Sequence, residues 1–236
     1  MSPSDAIAAV ALAAPTRGNR KLEALIGAAN ADQRLRAWWH MQQVFATRLG
    51  MSDHSWVHVR IVLNIALRLF RLLVKRGVQP AMVRDHLMRD HDAEVVIAAG
   101  CLFHDTGMSI HRSDHEAFSL FLAAEHVPDL LEGIYDEPDR TVVTVESLHA
   151  VIGHRRRGDS LTPEAGIRAR GRRTGPGPGP LAIDSVEIRA GEEKAVTIEI
   201  AMNNSSGIFQ VDELLATKLH GSGLEEHVEV VALPIP

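Results

Sequence analysis

The sequence predicts a mainly α-helical bundle followed by a small C-terminal α+β unit of ββαβ order, and three stretches carry that expectation. Val95 to Phe103 is a run of nine uncharged, mostly apolar residues; a helix with no charge on any side belongs in a core. Between residues 55 and 76, Arg60, Asn64, Arg68, Arg71 and Lys75 recur at helical spacing, so they form one polar stripe with an apolar face behind it. Val196, Ile198, Ile200 and Met202 alternate with Thr197, Glu199 and Ala201, the two-residue period of a strand with one apolar face.

Taken in order, residues 1–18 read as a loose tail broken by Pro3, Pro15 and Gly18. A helix over 20–49 buries Leu22, Leu25, Ile26, Leu35, Trp38, Trp39, Val44 and Phe45. In the helix over 55–76, His58 sits two residues before Arg60, about 200° round the axis. It therefore shares the inward face with Val62, Ile65, Leu69 and Leu72. Gly77 and Pro80 interrupt the chain before a short helix to about residue 88. The central helix starts near residue 92, with Asp90, Asp92 and Glu94 as cap and first-turn acids, and ends in His104–Asp105 before Gly107. Ser113 and Glu116 fit a capping box that opens a helix to about Glu125. Pro128 and Gly133 mark a loop, and Pro138 suits the first position of a helix closed by Gly153. Val142, Val145, His149 and Ile152 share one face of that helix, so His149 points inward, and His154 follows the glycine. In the tail, Ala182–Arg189 pairs with the next strand across Gly191-Glu192-Glu193, a helix spans roughly 209–219, and His227–Leu233 is the last strand. So small a unit packs on the bundle or on a second copy, which makes a homodimer through it one expectation.

Composition bounds the function classes. The chain of 236 residues suits one domain plus an appendage. A net charge of −5 and a pI near 6.2 give no global basic field for nucleic acid. The single cysteine, Cys101, excludes an intrachain disulfide and suits the reducing cytoplasm. No apolar run approaches the roughly 18–20 residues of a membrane span, and the Ala-rich start lacks the basic region of a signal peptide. Thirteen histidines point toward metal or acid–base chemistry.

An imidazole and a carboxylate at the end of an apolar helix are costly to bury unless they are paired or bound to a cation. One salt bridge is the plain alternative. The inward His58 on another helix shifts the balance toward a shared ion. Arg155-Arg156-Arg157 either holds phosphate or is a solvated charge run.

The segment His104-Asp-Thr-Gly-Met-Ser-Ile-His-Arg112, preceded by Asp53-His-Ser-Trp-Val-His-Val-Arg60, resembles the HD superfamily of metal-dependent phosphohydrolases. The likeness covers roughly residues 20–165, and the tail from Leu181 looks like one uncharacterised prokaryotic branch. The resemblance implies an all-helical bundle around a divalent metal, with His58, His104 and Asp105 as ligands and Asp105 in the catalytic centre. Where such proteins hold a second ion, His115 and His154 take that role here, with His149 competing. Arg112 and Arg155 become phosphate clamps, and the substrate a nucleotide or phosphorylated metabolite. Imidazole with carboxylate suits Mn²⁺, Fe²⁺, Co²⁺, Ni²⁺ or Zn²⁺, one ion or two, better than Ca²⁺.

The chain departs from that pattern after Ile167. Members continue with a helix whose Asp completes the site, whereas this chain has no carboxylate between Glu164 and Asp184. Gly-Pro alternation over 175–180 cannot form a helix. Residues 168–180 read as a flexible basic linker between a helical domain, 19–167, and the tail unit, 181–236. Its Arg/Gly/Pro composition suggests a compensated frameshift within 167–180; the gene's other two frames then contain an Asp-bearing helical segment. Three ligands remain unless Glu164 or Asp159 substitutes. Two rivals to the enzyme are a regulatory HD-like protein that binds metal or nucleotide without turnover, and a helical interaction domain whose histidines are core residues.

Overall fold

The computed structural model describes residues 2–51, 53–153, 160–170, 183–202 and 222–233. Helices α1 (Pro3–Ala8), α2 (Arg20–Ala31), α3 (Gln33–Arg48), α4 (Trp56–Lys75), α5 (Ala81–Arg84) and α6 (Asp90–Phe103) come first. A 3-10 turn (Thr106–Ser109), then α7 (His115–Leu130), α8 (Asp139–Ile152) and α9 (Pro163–Arg170), complete the helical part. Strands β1 (Ile183–Ala190), β2 (Val196–Met202) and β3 (Val228–Leu233) follow. The chain is mainly helical with a small C-terminal sheet, as the periodicity predicts.

Helix α6 is the axis of the bundle, packed by α2, α4, α8 and α9. Every residue from Asp92 to Phe103 is buried, because from Val95 onward no side of the helix carries a charged group. The two acids at its start are paired. Asp92 accepts from the Lys21 ammonium at 2.7 Å, the Tyr135 hydroxyl at 2.8 Å and the Arg89 N–H at 2.9 Å. Glu94 accepts from Arg71 Nε at 2.6 Å and Asn19 Nδ2 at 2.9 Å. The Asp92 charge sits in the first turn, where the helix dipole favours it. Burial alone would raise the Asp92 carboxyl, but Lys21, Arg89 and Tyr135 hold it below the usual carboxylate range. Arg71 is thus half-buried in an ion pair, whereas Arg68 and Lys75 remain on the solvent stripe of α4.

Four local expectations are corrected. The helix expected over 20–49 breaks at Asp32, whose extended backbone and side chain cap α3 through the Leu35 N–H at 2.7 Å. The same carboxylate meets His126 Nε2 at 2.7 Å, so a long-range pair reinforces the break. Of the stretch expected to be a loose tail over 1–18, residues 2–18 are ordered by local structure: α1 forms on a Ser2/Asp5 capping box, and Val10 and Leu12 enter the core. The Asn30 amide holds the Leu12 backbone from both sides, at 2.7 and 2.9 Å. Helix α7 starts at His115 after a left-handed Asp114 (φ 57°), without a Ser113 cap. It also passes Pro128, which falls in the last turn and forgoes a single helical hydrogen bond.

In α8 the buried face is Val143, Thr144, Ser147, Ala150 and Val151, and Val145 is 58% exposed. The face expected from Val142, Val145, His149 and Ile152 is therefore centred roughly 180° round the helix from the real one.

Strand β2 pairs antiparallel with β1 (Ile198↔Ile188) and parallel with β3 (Ile198↔Val230). Val196, Ile198 and Ile200 turn inward with Ile188 and Val228. Arg76, just beyond α4, donates to the Gly191 carbonyl at the β1–β2 turn. The expected helix over 209–219 and most of the 168–180 linker lie outside the described residues.

Candidate metal centre

The His104–Asp105 pair stands where α6 runs out of helical partners, and a helix end leaves its last carbonyls unsatisfied. Here four successive carbonyls each meet a side chain. Cys101 O faces His104 Nδ1 at 2.9 Å, and Leu102 O accepts from Trp39 Nε1 at 2.9 Å. Phe103 O accepts from the Thr106 hydroxyl at 2.7 Å, and His104 O from the Ser119 hydroxyl at 2.6 Å. The apolar run can end inside the core because its polar groups are satisfied by local side chains and by α3 and α7.

The first of these contacts fixes the histidine's chemistry. A carbonyl only accepts, so Nδ1 of His104 carries the proton and Nε2 is turned inward. That Nε2 lies 2.9 Å from Asp105 Oδ2 and 3.2 Å from His58 Nε2, and His58 Nε2 lies 3.5 Å from the same carboxylate oxygen. His104 and Asp105 are 1% exposed, and the His58 side chain 11%. Three basic atoms directed at one buried point need positive charge between them, as a proton or a cation. The spacing suits a cation: two ligand atoms each roughly 2.1 Å from one ion stand roughly 3.0–3.4 Å apart at octahedral to tetrahedral angles. Among the described residues, His58, His104 and Asp105 form the group that can hold a metal ion.

No family model matches the chain, and no solved structure matches it. A relative is the uncharacterized protein MJ1020 of Methanocaldococcus jannaschii, 33% identical over 219 residues, covering 85% of this chain and 85% of that protein. The chain belongs to the MJ1020 family.

Around the three-residue group, the other expected site residues of this MJ1020-family chain fall into three sets. His115 joins it: its Nε2 lies 3.3 Å from Asp105 Oδ1, the oxygen turned away from His104. Its Nδ1 lies 3.1 Å from the Arg112 carbonyl and 3.2 Å from Glu116 Oε2. Arg112 is at the rim, half-buried, with Nη1 3.2 Å from the same ring nitrogen. His149 does not join the group. It is half-buried, and its Nε2 accepts the Leu161 N–H at 3.1 Å; the rotated face of α8 explains the difference. His154, Arg155 and Asp159 lie outside the described residues.

Glu164 is no substitute ligand. It is buried and accepts the Met82 and Ala81 N–H groups at 3.1 and 3.3 Å, capping α5, which has no side-chain cap of its own. Burial raises its carboxyl above the usual range against the pull of those bonds. Ser119, Trp39 and Thr106, which fix the His-Asp turn, carry no sequence signal, because their partners are main-chain carbonyls.

Proposed function

We propose that this chain is a metal-dependent phosphohydrolase of the HD type, acting on a nucleotide or phosphorylated metabolite. The observation that carries the reading is the convergence of His58 Nε2, His104 Nε2 and Asp105 Oδ2 within 2.9–3.5 Å, with the His104 proton held at the far nitrogen. Imidazole and carboxylate together favour Mn²⁺, Fe²⁺, Co²⁺, Ni²⁺ or Zn²⁺. Such an ion supplies Lewis acidity toward a phosphoryl oxygen and lowers the pKa of water toward neutrality.

The protein's part is positioning. His58, His104 and Asp105 hold the ion, and the Cys101 carbonyl keeps His104 in the ligating tautomer. Asp105 Oδ1 with His115 is the place for a second ion. Arg112 at the rim supplies a fixed positive charge for an anionic substrate. In this reading the protein acts in the cytoplasm on a small molecule, without membrane or nucleic acid, as a homodimer through its C-terminal unit. Among the described residues no helix is long and apolar enough to cross a membrane.

Metal analysis of purified protein, with His104→Ala and Asp105→Ala beside it, tests the reading. Stoichiometric metal lost in both variants, with hydrolysis of a nucleotide panel by the parent protein, is expected. Parent protein free of transition metal after loading and desalting overturns it.

A second reading has one observation in its favour. No carboxylate stands between Glu164 and Asp184, and Glu164 is committed to α5. A metal- or nucleotide-binding regulator derived from an HD enzyme predicts bound metal with no turnover in the same assay.

A further inference from the structure

His54 lies one residue before Ser55, the N-cap of α4, and takes no part in the metal-directed group. Its ring nevertheless packs, tilted, against that group. The His54 and His58 ring centroids are 5.3 Å apart with planes tilted by 34°, and His58 and His104 are 5.2 Å apart at 42°. Three imidazoles thus lie in series, His54 outermost yet only 7% exposed.

The backbone of His54 is gripped from both sides by consecutive residues of α3. Gln43 Oε1 accepts its N–H at 2.8 Å, and the buried Gln42 Nε2 donates to its carbonyl. Two amide side chains on one rigid helix hold a short connecting segment that would otherwise follow the looser chain before α4.

His104 and His115 have their rings oriented by main-chain carbonyls at Nδ1. His58 is the most exposed of the three group members, and the torsion that aims its ring is intrinsically broad. A neighbouring ring fixed in place narrows that torsion by packing. We propose that His54 is a positioning residue: clamped by Gln42 and Gln43, its ring holds the His58 imidazole in the orientation that directs Nε2 toward His104 and Asp105. This inference rests on the metal reading of that group.

The test is Co²⁺ titration of the full chain, read by visible d–d absorption and by competition with Zn²⁺. His54→Ala is expected to weaken Co²⁺ binding roughly 10–100-fold, as outer-shell changes do, and to alter the d–d bands. His54→Phe, which keeps a ring but no nitrogen, restores affinity to within about threefold of the parent if packing is the cause. Gln43→Ala, at a half-buried position, loosens the clamp while leaving the ring, and its loss is intermediate; it also serves if His54→Ala fails to fold by thermal melting. Parent-like Co²⁺ affinity and spectrum in His54→Ala overturn the inference alone. Equal weakening in His54→Phe and His54→Ala overturns it in favour of a nitrogen-dependent role. Absence of Co²⁺ binding by the parent chain overturns the metal reading and this inference together.

Discussion

The Ser119 hydroxyl donates to the His104 carbonyl at 2.6 Å and accepts the Gly107 N–H at 2.9 Å. One buried hydroxyl on α7 therefore ties down the backbone on both sides of Asp105. Ser119→Ala leaves a buried carbonyl and a buried N–H without this partner, at about 1–3 kcal/mol each. Urea unfolding is expected to show a loss of about 2–4 kcal/mol, accompanied by weaker metal binding. A loss below about 0.5 kcal/mol with unchanged affinity would show that the turn holds without α7.

Gly107 lets α7 approach that turn. A Cβ there would fall on the His115 carbonyl oxygen and the Ser119 backbone nitrogen, both main-chain atoms that cannot step aside. Gly107→Ala must push the start of α7 outward, carrying His115 from Asp105. The expected cost is about 3 kcal/mol or more, read as a fall in the thermal midpoint. Gly133→Ala is the control: its neighbourhood is open, and only its positive φ of 74° opposes the change.

How much of this was legible in the sequence depended on range. The nine uncharged residues of α6 read as a buried helix because burial on every side is a local property of composition. His58 was placed inward by counting from Arg60 alone, and the His104–Asp105 terminus by where charge reappears. What failed depended on distant partners. The start of the chain looked loose because Val10 and Leu12 are held by Asn30, far along the sequence. Asp32 read as mid-helix because its second partner, His126, is on α7. His149 was misdirected because the wrong face of α8 was taken as inward: Val145 is an exposed apolar side chain that mimics a core position. His54 went unremarked because its clamp comes from two glutamines of the preceding helix.

The Asp92 carboxyl gives acid unfolding a defined sign. Its native pKa lies below the ordinary value of 3.8, through Lys21, Arg89 and Tyr135 acting against burial. The unfolded chain therefore binds this proton more readily than the folded one. The associated stability is complete above the unfolded value and is lost as pH falls through the folded value. Urea midpoints are expected to hold steady down to about pH 5 and to fall below about pH 4. Asp92→Asn should lower stability at neutral pH by about 2–3 kcal/mol, from the lost charge-assisted bonds, and flatten part of the acid limb. An unchanged acid limb would assign the pH dependence to other carboxylates.

The two oxygens of Asp105 face different imidazoles: Oδ2 faces His58 and His104, and Oδ1 faces His115. That division separates one-ion from two-ion occupancy. If the carboxylate bridges two ions, His115→Ala removes one equivalent of metal and leaves the other, because His58, His104 and Oδ2 remain intact. If a single ion binds, His115 orients Asp105, and His115→Ala leaves the stoichiometry at one with affinity reduced roughly 10–100-fold. His104→Ala is expected to remove the ion directed at Oδ2 in either case, since its Nε2 is the shortest-range partner of Oδ2. Mass spectrometry of the native protein with increasing Mn²⁺ or Co²⁺ reads the ion count directly. Two ions lost together in His115→Ala would mean that the sites do not fill independently, and that Oδ1 takes part in holding the first ion as well.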